Sequence, residues 1–79
     1  MQDELPAFTN VQSFSTKTAT YKVGEKIKFW DTTERTWTKG EVIQIIECSG
    51  FFVSVSIAYK SHNKQRQAKI FREDWLDKN

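Results

Sequence analysis

The stretch "GEVIQIIECSGFFVSVSIAY", residues 40–59, decides the fold of this chain. In its second half, every second residue from Val53 to Tyr59 is apolar or aromatic, the period of a half-buried β-strand. The first half carries apolar residues on both faces, so that strand is either buried on both sides or bent so that each half meets the core differently. "CSG" between the two halves is short enough for a hairpin. The stretch therefore predicts two antiparallel strands.

The flanking sequence predicts further short strands. "YKVGEKIKFW", residues 21–30, places Val23, Ile27 and Phe29 on one face. "RQAKIF" gives a fourth, shorter strand, and "REDWL" has the composition of a helical turn. "DTTER" suits a hairpin, whereas "KSHNKQR" is interpreted as a longer polar loop. So few short strands cannot form a two-layer sandwich, and the sequence predicts an all-β, strongly bent antiparallel barrel of about five strands.

The first twenty residues differ from the rest in composition and in apolar pattern. They are rich in Thr, Ser, Gln and Asn, with isolated Phe8, Val11 and Phe14 and no sustained period. We therefore expect residues 1–20 to be a flexible leader in which one short segment can dock, and residues 21–79 to be the folded domain.

Size and composition exclude several classes of protein. A chain of 79 residues with a net charge of +2 is one small domain, whose core depends on large aromatic residues. The single Cys48 cannot form an internal disulfide, and with one histidine, His62, it cannot build a zinc site. No apolar run reaches the length of a bilayer, and the amino terminus lacks the pattern of a signal peptide. We expect a nuclear or cytoplasmic protein that has no cofactor and does not contact membranes.

The residues that could act as nucleophiles lack partners. Ser49 beside Gly50 does not form a nucleophile elbow, and Cys48 does not follow a recognisable helix amino terminus. His62 lies in a basic segment without an orienting carboxylate nearby in the sequence. The three glycines are too widely spaced for a phosphate-binding loop. The sequence therefore predicts a binding module and not an enzyme.

The aromatic residues are the candidates for binding. In "KIKFWDTTERTW", residues 26–37, Trp30 falls on the side of the lysines, and Trp37 follows the turn. Aromatics that meet at one rim of a barrel can form a cleft for a methylated ammonium group, because ring faces attract cations. Asp31 and Glu34 would help to hold such a cation. Trp75 and Phe71 are assigned to the core instead.

At this point the sequence resembles a known family. "VGEKIKFWDTTERTWTKGEVIQI" and "FFVSVSIAYKSHN" look like the first strands of Tudor and chromo-barrel (Tudor-knot) domains of MRG-type chromatin proteins and MYST histone acetyltransferases. The resemblance covers residues 22–77. It implies an SH3-like barrel that is a monomeric, nuclear module and recognises a histone-type tail, including methyl-lysine, or another chromatin protein.

The positions of the family's aromatic cage are only partly kept. Trp37 and Tyr59 are aromatic at their matching positions, whereas Asp31, His62 and Arg66 stand where the family has aromatic residues. Trp30, one residue before Asp31, could supply the aromatic side chain that is missing at the position of Asp31. The resemblance thus implies a reduced cleft, with the following ligand-contacting residues: Trp30, Asp31, Trp37, Tyr59 and His62.

A basic segment supports a different ligand. Between residues 60 and 72 there are five bases and no acid, and a basic surface beside exposed aromatics suits RNA or DNA. The residues predicted to contact nucleic acid are Lys60, Lys64, Arg66 and Lys69, with His62 beside them. A third alternative is an SH3-like adaptor for unmodified peptides.

Overall fold

The computed structural model describes residues 7–78. In this range the chain forms eight antiparallel strands and one 3-10 turn, so the prediction of an all-β fold is confirmed. The elements are β1 (Phe8–Val11), β2 (Ser13–Ser15), β3 (Thr20–Lys22), β4 (Lys26–Asp31), β5 (Thr36–Cys48), β6 (Phe51–Ser61), β7 (Lys64–Ile70), η1 (Glu73–Trp75) and β8 (Leu76–Asp77).

The main sheet is organised around β5. Its strand order is β7-β6-β5-β4-β8, and β1 lies beside the second half of β5. Residues 36–41 of β5 pair with β4, whereas residues 45–48 pair with β1 along the same edge. β2 and β3 form a separate two-stranded sheet. Within the described residues no pairing between β7 and β8 closes the main sheet, so a closed barrel is not found.

The pairing of β5 with β6 is irregular at two places, between Val42 and Gln44 and between Ile46 and Glu47. Such irregularities change which face a side chain occupies. Val42 and Ile45 are both fully buried although they are three residues apart. Of the two interpretations of β5, the bent strand is therefore confirmed. The buried apolar residues are Phe14, Tyr21, Ile27, Phe29, Val42, Ile45, Val55, Ile57, Ile70 and Leu76.

The second irregularity also corrects the alternation expected along β6. The sequence places Ser54 on the outer face, but only 1% of this residue is exposed. In the register, Ile46 pairs with Ser54 and Glu47 with Phe52, so Val53 is passed over. Phe52 consequently turns inward and its ring lies 5.0 Å from that of Phe14.

The turn between β6 and β7 is shorter than the sequence suggests. His62 and Asn63 both have positive φ angles, 53° and 66°, and Ser61 pairs directly with Lys64. This is a two-residue hairpin, because two left-handed residues match the twist of the flanking strands. The prediction of a longer polar loop over residues 60–66 was wrong, and most of its bases lie on strands.

The first part of the chain docks more extensively than a single short segment. Residues 8–15 contain two strands, and Phe14 is only 6% exposed. Its ring stacks on Tyr21 at a centroid distance of 5.1 Å. Burial of this ring, together with the pairing of β1 with β5, holds a polar stretch that has no apolar period of its own. The part of the predicted leader before Ala7 lies outside the described residues.

The helical turn predicted near the end of the sequence is present as a 3-10 turn. Residues 73–75 form η1, and Trp75 packs against the core while the Arg72 guanidinium lies 5.3 Å from its ring centre. Arg72 also donates two hydrogen bonds to Asp74, which lower the pKa of that carboxyl. Phe71, which the sequence assigned to the core, is exposed, because β7 ends one residue earlier with Ile70 buried.

We expect Phe14→Ala to lower the free energy of unfolding by about 3 kcal/mol, because it removes a buried ring from the core. Phe8→Ala is the matched control: Phe8 is 70% exposed, and its truncation should change stability by less than about 0.5 kcal/mol. Urea denaturation of both variants measures the difference. Equal stability of the two variants would show that burial of the Phe14 ring does not stabilise the domain.

Candidate functional site

Alternation along the strands divides the side chains of the meander β4–β7 between two faces. The inner face carries Ile27 and Phe29, which are buried. The outer face carries the alternate residues of β4, Lys28 and Trp30, together with their partners on β5, Lys39 and Trp37. Neighbours in the sequence are therefore separated in space, and residues distant in the sequence meet on one face.

A groove of about 550 Å³ lies along the outer face, and we call it the lysine groove. Its lining contains five lysines and a single acidic residue, Glu41. Gly40 and Ala58 also line it and leave space between the lysines, because Gly40 has no side chain and Ala58 only a methyl group. Tyr59 is the one aromatic residue of its lining. The five lysines come from four strands or strand ends and are Lys26, Lys28, Lys39, Lys60 and Lys78.

The lysine groove keeps an excess of positive charge. Lys78 is partly neutralised, because its Nζ lies 3.0 Å from Glu25 Oε2 and donates a 2.7 Å hydrogen bond to the Thr20 carbonyl oxygen. Lys39 and Lys60 form no ion pair with any residue between 7 and 78. Charges held close together on one concave surface raise the local positive potential. The groove is thus suited to an anionic ligand.

Two tryptophans lie on the outer face next to the lysine groove, without lining it. Trp30 and Trp37 are direct partners in the β4–β5 register, and Lys28 and Lys39 form the next pair on the same face. The two indole rings meet edge to face, with centroids 5.7 Å apart and planes at 67°. Trp30 is half-buried, whereas Trp37 is 44% exposed. Trp37 therefore presents aromatic surface to solvent while its neighbour supports it.

A smaller cleft of about 120 Å³ lies at the turn ends of the strands, and we call it the turn cleft. Tyr59 contributes its only aromatic side chain, packed edge-on against Phe29 at 4.9 Å. His62 and Glu34 stand on the rim, with His62 Nε2 3.6 Å from Glu34 Oε1. The full lining is Asp31, Thr33, Glu34, Tyr59, Ser61, His62 and Arg66.

Asp31 has a structural role in this cleft. It is 8% exposed, and its Oδ1 accepts hydrogen bonds from the backbone N–H groups of Thr33 at 2.9 Å and Glu34 at 3.3 Å. Its carbonyl oxygen accepts a third bond from the Arg35 N–H at 2.7 Å. An aspartate at the start of a turn commonly satisfies these donors. The carboxylate that was expected to form the floor of a cation cage thus stabilises the β4–β5 turn.

The structure divides the predicted cleft residues into two groups. Trp30 and Trp37 lie together on the outer face, whereas Asp31, Tyr59 and His62 line the turn cleft. Tyr59 contacts Phe29, which is an inner-face residue. Consecutive residues of β4 point to opposite faces, so Trp30 and Asp31 do not converge on one ligand, and of the five residues only Tyr59 also lines the lysine groove. The single cage expected from the sequence is not assembled in this way.

The predicted nucleic-acid residues are also divided. Lys60 lines the lysine groove, and Lys69 lies over Phe71 with its Nζ 6.0 Å from the ring centre. Side chains of β7 alternate between the two faces of the sheet. Lys64 and Arg66 therefore lie on the face opposite to that of Lys69. The sequence reasoning missed four lysines of the groove, although the alternation "KIK" was a visible sign of two of them. These four are Lys26, Lys28, Lys39 and Lys78.

Comparisons of the chain with protein-family models, curated proteins and solved structures found no match. The resemblance to Tudor and chromo-barrel domains therefore stays a prediction. Between residues 7 and 78, no three His, Cys, Asp or Glu side chains are grouped so that they could hold a metal ion. The same part of the chain has no helix with the length and apolar character needed to cross a bilayer.

We expect Asp31→Ala to destabilise the protein by about 1 kcal/mol or more, because two backbone N–H groups of the turn lose their acceptor. Asp31→Asn keeps an acceptor oxygen and should retain most of the stability. Glu34→Ala, an exposed acid in the same turn, is the control and should be nearly neutral. Thermal or urea unfolding measures all three, and full stability of Asp31→Ala would refute the structural role.

Proposed function

We propose that this chain is a non-enzymatic module that binds RNA or DNA through the lysine groove. The observation that carries the proposal is the meeting of five lysines from separate parts of the sequence around one groove with a single acid. Phosphates bound by such lysines release counterions, which gives affinity without requiring a particular base sequence. The groove is open along the outer face, so it can follow a backbone.

We assign the fold to the SH3-like type of the Tudor and chromo-barrel family as part of the same proposal. The connectivity supports it: four consecutive antiparallel strands are followed by the 3-10 turn, after which β8 returns to pair with β4. Gly40 is consistent with such a small, tightly packed sheet, because a Cβ there would approach the Ala58 carbonyl oxygen to 2.8 Å, which shows that β5 and β6 come close at this position.

The proposed ligand indicates where in the cell the module acts. Chromatin offers both DNA and nascent RNA, so we place the module in the nucleus and on chromatin, acting as a monomeric unit. Neither an enzymatic step nor a cofactor is needed for this role. The lysines of the groove fix the position of phosphates, and any discrimination between ligands must come from other groups near the groove.

The salt dependence of binding tests the proposal. Four to five phosphate contacts to a single strand should give a slope of about −3 when log K is plotted against log salt concentration. Lys39→Gln should make the slope shallower by about 0.7, because one contact is lost. Lys64→Gln removes the same charge from the other face and should leave the slope unchanged. Fluorescence anisotropy of a labelled oligonucleotide measures these slopes.

Two results would contradict the lysine groove as the binding site. A slope near zero for the unmodified protein would exclude a phosphate-dominated interaction. Equal effects of Lys39→Gln and Lys64→Gln would show that binding follows the total charge of the protein and not the groove.

A specific observation also favours a second function, the recognition of a histone-type tail. The turn cleft brings together four positions at which the resemblance places cage residues, namely Asp31, Tyr59, His62 and Arg66. Tyr59 supplies one aromatic ring to the cleft, and Glu34 supplies one exposed carboxylate for a cation. One aromatic ring gives little selectivity for methylation, and Arg66 opposes a cation, so we rank this function below nucleic-acid binding.

An amide NMR titration with a trimethyl-lysine peptide and its unmodified counterpart tests this second function. A reader of methyl-lysine should show shifts at Tyr59 and His62 that require the methyl groups and are removed by Tyr59→Ala. Shifts that are equal for both peptides would exclude methyl-lysine recognition. Absence of binding by both peptides and by oligonucleotides would instead support an adaptor for other peptides.

A further inference from the structure

From the position of Trp37 we infer that the lysine groove selects single-stranded over double-stranded nucleic acid, with one unpaired base stacked on the Trp37 indole. This inference rests on the proposed function and adds the class of ligand to it. It depends on three features: the exposure of Trp37, its support by Trp30, and its place relative to the lysines.

Trp37 is prepared for stacking before a ligand arrives. Its ring is held edge to face against Trp30, and 44% of the residue remains accessible. A side chain that is already fixed loses little conformational entropy when a base covers it. Between residues 7 and 78 no other aromatic ring lies in stacking or edge contact with Trp37. Trp37 can therefore accept a base on its exposed surface without breaking a contact of the core.

Two of the lysines lie next to this ring on the same face of the sheet. Along β4 and β5 the Lys28–Lys39 pair is two residues from the Trp30–Trp37 pair, a distance of about 7 Å on the same face. The Lys26–Glu41 pair follows after the same interval. A base stacked on Trp37 thus leaves its own backbone at the mouth of the lysine groove, where the next phosphates meet Lys28 and Lys39.

A duplex cannot use this arrangement. Its bases are already stacked and paired, so it can offer phosphates to the lysines but no free ring to Trp37. Base–aromatic stacking contributes about 1–3 kcal/mol per base and accepts any base, because every base has a π-face. The groove should therefore prefer single strands and show little preference for sequence.

The test compares one oligonucleotide of about eight nucleotides, a length within the range that small single-strand-binding folds cover, with its own duplex. Two variants of Trp37 are matched: Trp37→Leu keeps an apolar side chain without a π-system, and Trp37→Phe keeps a stacking ring. Trp37→Leu should weaken single-strand binding about tenfold and leave duplex binding unchanged, whereas Trp37→Phe should retain most of the single-strand affinity. Binding of the single strand should also quench tryptophan emission, and this quenching should be lost in Trp37→Leu.

The outcomes separate this inference from the proposed function. Salt-dependent binding that Lys39→Gln weakens, but that Trp37→Leu leaves unchanged, would overturn the stacking inference alone. Equal weakening of single-strand and duplex binding by Trp37→Leu would overturn it as well. Absence of salt-dependent binding by the unmodified protein would overturn both the inference and the proposed function. Urea midpoints of both variants within experimental error of the unmodified protein exclude a folding defect as the cause.

Discussion

The bend of β5 is the constraint on which the rest of the structure depends. One long strand must pair with β4 over its first half and with β1 over its second half, while β6 follows it along the other edge. The two irregularities in the β5–β6 pairing make this possible, because they let Val42 and Ile45 point into one core. A regular strand would turn one of them to solvent. The bend thus unites the hairpin of β2 and β3 and the meander around a single apolar cluster.

The same pairing decides what the outer face can bind. Fixing Phe29 inside fixes Trp30 outside, and the register then brings Trp37 opposite Trp30 and Lys39 opposite Lys28. The candidate site is therefore a by-product of burying the inner face: no separate loop has to fold to create it. A site on paired strands is held more rigidly than a site on a loop, which suits a stacking ring.

The sequence predicted the parts of the fold that depend on local pattern. Alternation identified β4, much of β6 and the shorter β7, and the composition of residues 72–76 identified η1. Apolar residues on both faces of β5 left a bend as one of two interpretations, but the sequence did not locate the two irregularities, because a residue that is passed over in a ladder leaves the composition of the strand unchanged. It also predicted too little structure for residues 8–15. The Phe14 ring in this segment stacks on Tyr21, a contact that exists only in the folded chain.

The candidate site shows the same limit more clearly. A search along the sequence groups charges by proximity, and it selected the bases between residues 60 and 72. The two-residue turn at His62 and Asn63 places those bases on strands, where alternation sends Lys64 and Arg66 to one face and Lys69 to the other. The lysines of the groove are instead grouped by register, which depends on turn lengths and irregularities. In a small β-protein, a charged surface therefore has to be counted across strands, because folding can divide a basic run between two faces and gather scattered lysines on one.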